Sequence, residues 1–342
     1  MVMDDAERTR RTEALRRWAL AKLPGVDAAT PLEKVSDDAS FRRYFRLPAG
    51  DRNVVVVDAP PDLEDSGPFV AVGRHLHAAG VRVPRQLHVD LEAGFMMLED
   101  FGNELLLRVV ARTADADLET AYGRAVDGLV QLAGVDAGEL PAYDATLLRS
   151  EMALFPEWFC EAQLGLKLDS AARARLENVT GFLVDAALEQ PTVFVHRDYH
   201  SRNLMVVDDG PLGMIDFQDA VRGPVTYDLV SLVKDCYVRL PRRVVERIAA
   251  RFHAELADSQ TLPDLPAFLR WMDLMGLQRH IKCAGIFSRL NLRDGKPGYL
   301  PDIPLVFSYI REAAATFDEL RDFDAWLGAV VAPGVATLAG RS

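Results

Sequence analysis

A chain of 342 residues, 49% hydrophobic and 26% charged, is long enough for two domains and has the composition of a globular protein with a full core. Its formal charge of −12 argues against a sequence-independent nucleic-acid binder, because neutralising phosphates takes a basic face, and leaves room only for a local basic cleft. Three cysteines, Cys160, Cys236 and Cys283, stand far apart without a CxxC pair, which argues against a disulfide framework or a zinc site and fits a reducing cytoplasm.

The N-terminal stretch MVMDDAERTRRTEALRRWALAKL is charged from the start, and no apolar run approaches the ~20 residues of a membrane span, so no membrane partner is expected. Leu15, Trp18, Ala19 and Leu23 instead follow the i, i+3, i+4, i+8 spacing of an amphipathic helix that closes near Pro24-Gly25. A hairpin follows. Phe41, Arg43, Phe45 and Leu47 alternate with Arg42, Tyr44 and Arg46, PAGD makes the turn, and Val54 to Val57 return. PFVAVGRHLHAAG predicts a second helix stopped at Gly80, and QLHVD and GFMMLED predict two more strands. These elements form a small α+β unit over residues 1–100.

Residues 101–342 read as mainly helical, as in LETAYGRAVDGLVQLAG and SAARARLENVTGFLVDAALEQ. The exception is a β segment between Val193 and Phe217. There the apolar run Leu204–Val207 is separated from Leu212–Ile215 by DDGP, which is hairpin-turn chemistry. If the two runs pair, Asn203 lies across from Asp216, bringing an amide oxygen and a carboxylate together at about 5 Å, an oxygen set suited to Mg²⁺. Asp198, on the loop leaving TVFV, is placed to accept a proton from a substrate hydroxyl. A loop Asp as base, with an Asn and a second Asp on metal, is the division of labour of a kinase.

HRDYHSRN together with MIDFQDA resembles the aminoglycoside phosphotransferase and choline kinase-like family. The resemblance implies a bilobal, protein-kinase-like α+β fold, with a small β-rich nucleotide-binding lobe and a larger, mainly helical lobe for catalysis and substrate. It further implies ATP and Mg²⁺ as cofactors, Asp198 as base, Asn203 and Asp216 on the metal, and His196 and Asp228 bracing the loop. Adenine is implied to lie against the backbone from Glu99 to Phe101. The C-terminal block, DFQDAVRGPVTYDLVSLVKDCY and LQRHIKCAGIFSRLNLRDGKPGYLPDIP, is similar to the bacterial anomeric N-acetylmuramate/N-acetylglucosamine kinases of peptidoglycan recycling. That likeness implies phosphorylation of a sugar 1-hydroxyl and a uridylyltransferase that consumes the product.

The chain departs from the family pattern in its first lobe. VVVVDAPP lacks the lysine, and the following helix the glutamate, that grip nucleotide phosphates. Backbone N–H groups near Ser40 and Phe41 are the expected cradle, with Arg43 or Arg46 supplying charge; the alternative makes these arginines solvated hairpin positions. For the substrate, Arg279 and Lys282 (i, i+3), with Arg293 further along, are expected to offer a cationic face to a sugar carboxylate; a solvated helix face is the competing reading. Gln218, Asp219 and His200 are candidates to bind sugar hydroxyls, and Arg202 to stabilise the moving phosphoryl group. Two rival functions remain open: phosphorylation of an aminoglycoside or another small alcohol, and a pseudokinase that binds nucleotide without turnover.

Overall fold

In the computed structural model, which describes residues 3–27, 29–37, 41–50 and 52–340, the chain divides into two units. The first joins Met1–Glu104 to Met205–Asp219; the second joins Leu105–Leu204 to Ala220–Ser342.

Helix α1 (Asp5–Leu20) opens the first unit. The Asp4 carboxylate accepts from the Glu7 N–H at 2.7 Å, satisfying one of the amides that a helix start leaves unpaired. Strands β1 (Glu33–Asp37), β2 (Arg43–Ala49), β3 (Arg52–Asp58), β4 (Gln86–Asp90) and β5 (Phe95–Glu99) form an antiparallel sheet in the order β1-β2-β3-β5-β4. The predicted hairpin is β2–β3, closed through Gly50 at φ +72°. Strand β1 was not expected. Its Glu33, Lys34 and Val35 are exposed and carry no apolar alternation, as befits a bulged edge strand.

Strand alternation decides which residues meet α1. Phe45, Leu47, Val54, Val56, Phe95 and Met97 pack with Leu15 and Ala19 of the helix, while Val57, Met96 and Leu98 are buried on the opposite face. Helix α2 (Gly67–Ala78) carries Gly73, where a Cβ would lie 3.0 Å from the Phe217 ring. The ring of Phe217 stacks on that of Phe69, also on α2, at 5.0 Å. The segment that follows the metal-ligand candidate Asp216 is thus packed onto α2.

The second unit contains α3 (Leu106–Val110), α4 (Leu118–Ala133), α5 (Ala145–Met152), a π-helical stretch over Phe155–Gln163, and α6 (Ser170–Leu188). Strand β6 (Thr192–Val195) precedes the short hairpin strands β7 (Leu204–Met205) and β8 (Gly213–Met214), and pairs antiparallel with β9 (Val221–Pro224). The helices α7 (Tyr227–Val233), α8 (Arg242–Leu256), α9 (Leu265–Leu292), α10 (Ile303–Thr316), α11 (Arg321–Trp326) and α12 (Ala332–Ala339) complete the chain. At 28 residues, α9 runs about 42 Å. It is buried without a break from Met272 to Gly285, so it has no polar stripe there. A Cβ on Gly285 would come within 2.5 Å of the Leu154 backbone, so only glycine permits this contact with the start of the π-helical stretch. Among the described residues no helix is long and apolar enough to cross a membrane.

Candidate active site

The loop from His196 to Asn203 leaves the buried end of β6 and is tied down by two acids. Asp228, at the start of α7, accepts from the backbone N–H of His196 at 2.6 Å and of Arg197 at 3.0 Å. Asp235, just past α7, accepts from the Ser201 N–H at 3.0 Å and from its hydroxyl at 2.5 Å, and its other oxygen takes the Tyr237 N–H at 3.0 Å. Arg197 sits at φ +74°, a conformation costing a non-glycine residue about 1–2 kcal/mol, and the two bonds to Asp228 help to hold it.

Within the loop, the Asp198 carbonyl accepts from the His200 N–H at 2.9 Å and from the Asn203 Nδ2 at 3.1 Å, and the Asp198 N–H points at His196 Nδ1, 3.3 Å away. His196 thus braces the loop from the core. Because the Asn203 amide nitrogen is turned to Asp198, its oxygen faces the other side of the amide fork.

Burial works to raise the Asp198 carboxyl. The charges of Lys282, then His200, Arg279 and His196 outweigh it and hold the group below the usual carboxylate range. Asp198 is therefore ionised at neutral pH, as a proton acceptor must be. Asp228 goes the other way, pushed up to about 7 by burial despite its two backbone bonds.

Several pairings among buried groups were invisible to sequence reasoning. Glu151, on α5 and 7% exposed, binds the Tyr143 hydroxyl, the Arg197 guanidinium and, at 3.1 Å, the Lys282 ammonium. Lys282 also donates to the Tyr227 hydroxyl at 3.0 Å. Cys236 and Cys283, 47 positions apart in sequence, meet thiol to thiol, with the Arg279 guanidinium 3.3 Å from the Cys236 sulfur. The only available signal was charge within apolar sequence, as at Asp228 and Asp235.

The substrate-side candidates separate. The expected basic face of α9 is corrected: Arg279 and Lys282 are buried, at 2% and 6% exposed, and already partnered, whereas Arg293 is exposed and paired with Asp294 at 2.7 Å. A helix buried on all sides has no face to offer. His200 is buried, edge-on to Tyr237, with Nδ1 unpartnered among the described residues. Arg202 lies over the same Tyr237 ring at 3.6 Å and 4.0 Å from Asp302.

In the first unit, Asp216 also has positive φ, +66°, and its Oδ1 accepts from Gln218 Nε2 at 2.7 Å; Asp219 beside it is exposed. Ser40 lies outside the described residues. The Phe41 N–H points at the Glu64 carboxylate, 3.4 Å away. Arg43 is corrected as a phosphate ligand: its guanidinium is bound to Asp58 and to Thr12 and the Arg8 carbonyl of α1. Alternation turned Arg43 toward α1, together with Phe45. Arg46 binds Asp100 and Asn103. The Glu99 N–H is taken by the Arg85 carbonyl at 2.9 Å, and the Glu99 side chain pairs with Arg82 and Arg85. Phe101 is buried under the Arg82 guanidinium.

Comparison with known proteins follows from this geometry. The model of the phosphotransferase enzyme family matches residues 31–271, more than half of the chain. An N-acetylmuramate/N-acetylglucosamine kinase of Pseudomonas aeruginosa is 46% identical over 330 residues, covering 93% of this chain and 95% of that protein. Among solved structures, an ADP-bound aminoglycoside phosphotransferase matches with a TM-score of 0.59 at 12% identity, over 86% of this chain and 97% of its own. An ethanolamine kinase of Plasmodium vivax matches with a TM-score of 0.64 at 9% identity, over 94% and 92%. At such identities these structures speak for the fold alone, which is the bilobal, kinase-like α+β fold.

Proposed function

The chain belongs to the phosphotransferase enzyme family, and from that premise we propose that it is an ATP-dependent kinase of the cytoplasm that phosphorylates the anomeric 1-hydroxyl of N-acetylmuramate and N-acetylglucosamine. The observation that carries the reading is the 46% identity, along nearly the whole chain, to a protein named for those two sugars. The sugar 1-phosphate would then be consumed by a uridylyltransferase.

The residues of the loop and its neighbours support this chemistry. Asp198, kept ionised by Lys282 and its neighbours, accepts the acceptor's proton and orients the attacking oxygen. An anomeric hydroxyl is more acidic than an ordinary alcohol, so orientation matters more here than basicity. Asn203 and Asp216 fit magnesium in donor type. Both offer oxygen, the amide is turned by its bond to Asp198, and one carboxylate oxygen is steadied by Gln218. When bound, the ion supplies charge neutralisation at the phosphoryl group. His200, with an unpartnered Nδ1, and Arg202 are proposed to face the sugar and the phosphoryl group respectively. The Glu99–Phe101 backbone is proposed to receive adenine, and amides near Ser40 and Phe41 the phosphates.

The test is Mg·ATP turnover with N-acetylmuramate, N-acetylglucosamine, N-acetylgalactosamine and kanamycin, the product being located by phosphorus NMR. A sugar 1-phosphate, lost by about 10²–10⁴-fold in Asp198→Asn and abolished in Asp216→Asn, is expected. A phosphorylated antibiotic or a 6-phosphate would overturn the substrate assignment, and near-normal turnover in Asp198→Asn would overturn the base.

A further inference from the structure

We propose that Glu151 is a positioning residue for the catalytic loop: by binding Arg197 and Lys282 at once, it keeps both cations off Asp198 and fixes the loop in its working shape. The proposal rests on the reading of Asp198 as the base.

A carboxylate buried at the end of α5 is costly unless it is paired. Neutralising it would take one cation, yet Glu151 holds two, together with the Tyr143 hydroxyl. The trio therefore carries one surplus positive charge, and Asp198, on which the Lys282 charge acts, completes a neutral set. Arg279 of α9, His196 and His200 of the loop, Asp228 of α7 and the Cys236–Cys283 pair also surround this set. Lys282 reaches from α9 and is held between Glu151 and the Tyr227 hydroxyl, so its position is decided by those two.

Arg197 is adjacent to Asp198 and has the left-handed φ of +74°. Asp228 restrains its backbone; Glu151 restrains its side chain, which also lies over the Tyr143 ring at 5.8 Å. Removing the Glu151 charge leaves a buried and a half-buried cation, and Asp198 is a carboxylate whose charge acts on both. They would pair with the base and pull it from its place.

The experiment compares Glu151→Gln and the double variant Glu151→Gln/Lys282→Met with the wild type. Glu151→Gln is expected to lower kcat by about 10²-fold while the KM for Mg·ATP stays within about threefold, the signature of a displaced reacting group. The double variant, which removes the surplus cation as well, is expected to recover at least about tenfold of that loss in kcat, with the KM for Mg·ATP again unchanged. Additive losses, or kcat and KM falling together in step with the melting temperature, would overturn the proposal. If Glu151→Gln does not fold, Glu151→Asp keeps the charge but draws it back by one methylene; a folded Glu151→Asp with wild-type kcat has the same overturning force. Amide exchange over residues 196–203 needs no substrate, so it separates this proposal from the sugar assignment. Faster exchange in the Gln variant is expected even if no amino sugar is phosphorylated, and unchanged exchange contradicts the proposal.

Discussion

Asp228 shows how a single side chain can be read correctly for its role and yet carry a property that no spacing predicts. Resemblance implied that it braces the loop, and its two bonds to the backbone of His196 and Arg197 do so. Its carboxyl, pushed up to about 7 by burial, is a matter of packing. The unfolded chain releases this proton near pH 4 and the folded one near 7. The group's contribution to stability is therefore present at low pH and lost as the pH rises through 7. The melting-temperature advantage of the wild type over Asp228→Asn is expected to shrink between about pH 4 and 7 and to stay level above that; thermal unfolding from about pH 4 to 8.5 checks it, and a constant difference throughout would contradict it. Asp198 and Asn203 could be proposed from the sequence because their types and spacing are themselves the signal. Glu151 was not, because its two cations come from other parts of the chain.

At the scale of elements, legibility followed periodicity. Helices α1 and α2 and strand β2 have one buried face each and announce themselves by it, while β3 and β5 announce themselves as apolar runs buried on both faces. Helix α9 does not. Its charged residues looked like a cationic surface and are instead buried against α7, α10 and the π-helical stretch. His280, in that buried run, stacks on Tyr309 at 4.6 Å with Nε2 2.9 Å from the Lys234 carbonyl. Burial, with Arg279 alongside, lowers it to about 3. A depressed histidine contributes stability above its unfolded value of about 6.5 and loses it as the pH falls toward 3. Thermal unfolding of the wild type should therefore become easier between about pH 6.5 and 4.5, and a folded His280→Gln should show a flatter dependence. Equal slopes would remove His280 from the account.

For the whole molecule the governing quantity is the net charge of −12. The proposed acceptor N-acetylmuramate is anionic, N-acetylglucosamine is neutral, and the basic face once expected on α9 is not there to offset the field. Long-range repulsion is screened over about 10 Å at 0.1 M salt, so the ratio of kcat/KM for the muramate to that for the glucosamine should rise, by roughly twofold or more, from low to moderate salt. Initial rates with both sugars across a salt series measure it. A falling ratio would reveal a local cationic recess strong enough to dominate.

The sequence alone determined the elements of the first unit through their hydrophobic periods and, through its family resemblance, the kinase-like fold; the candidates for the catalytic loop and the metal were named from contiguous residue types, which short-range geometry keeps together. Tertiary structure alone decided which cations are spent inside the protein: Arg43 on Asp58, Lys282 and Arg197 on Glu151, and Arg279 beside two thiols. Charge pairing acts through space between residues distant in sequence, and a linear pattern carries no record of which carboxylate a given arginine will meet.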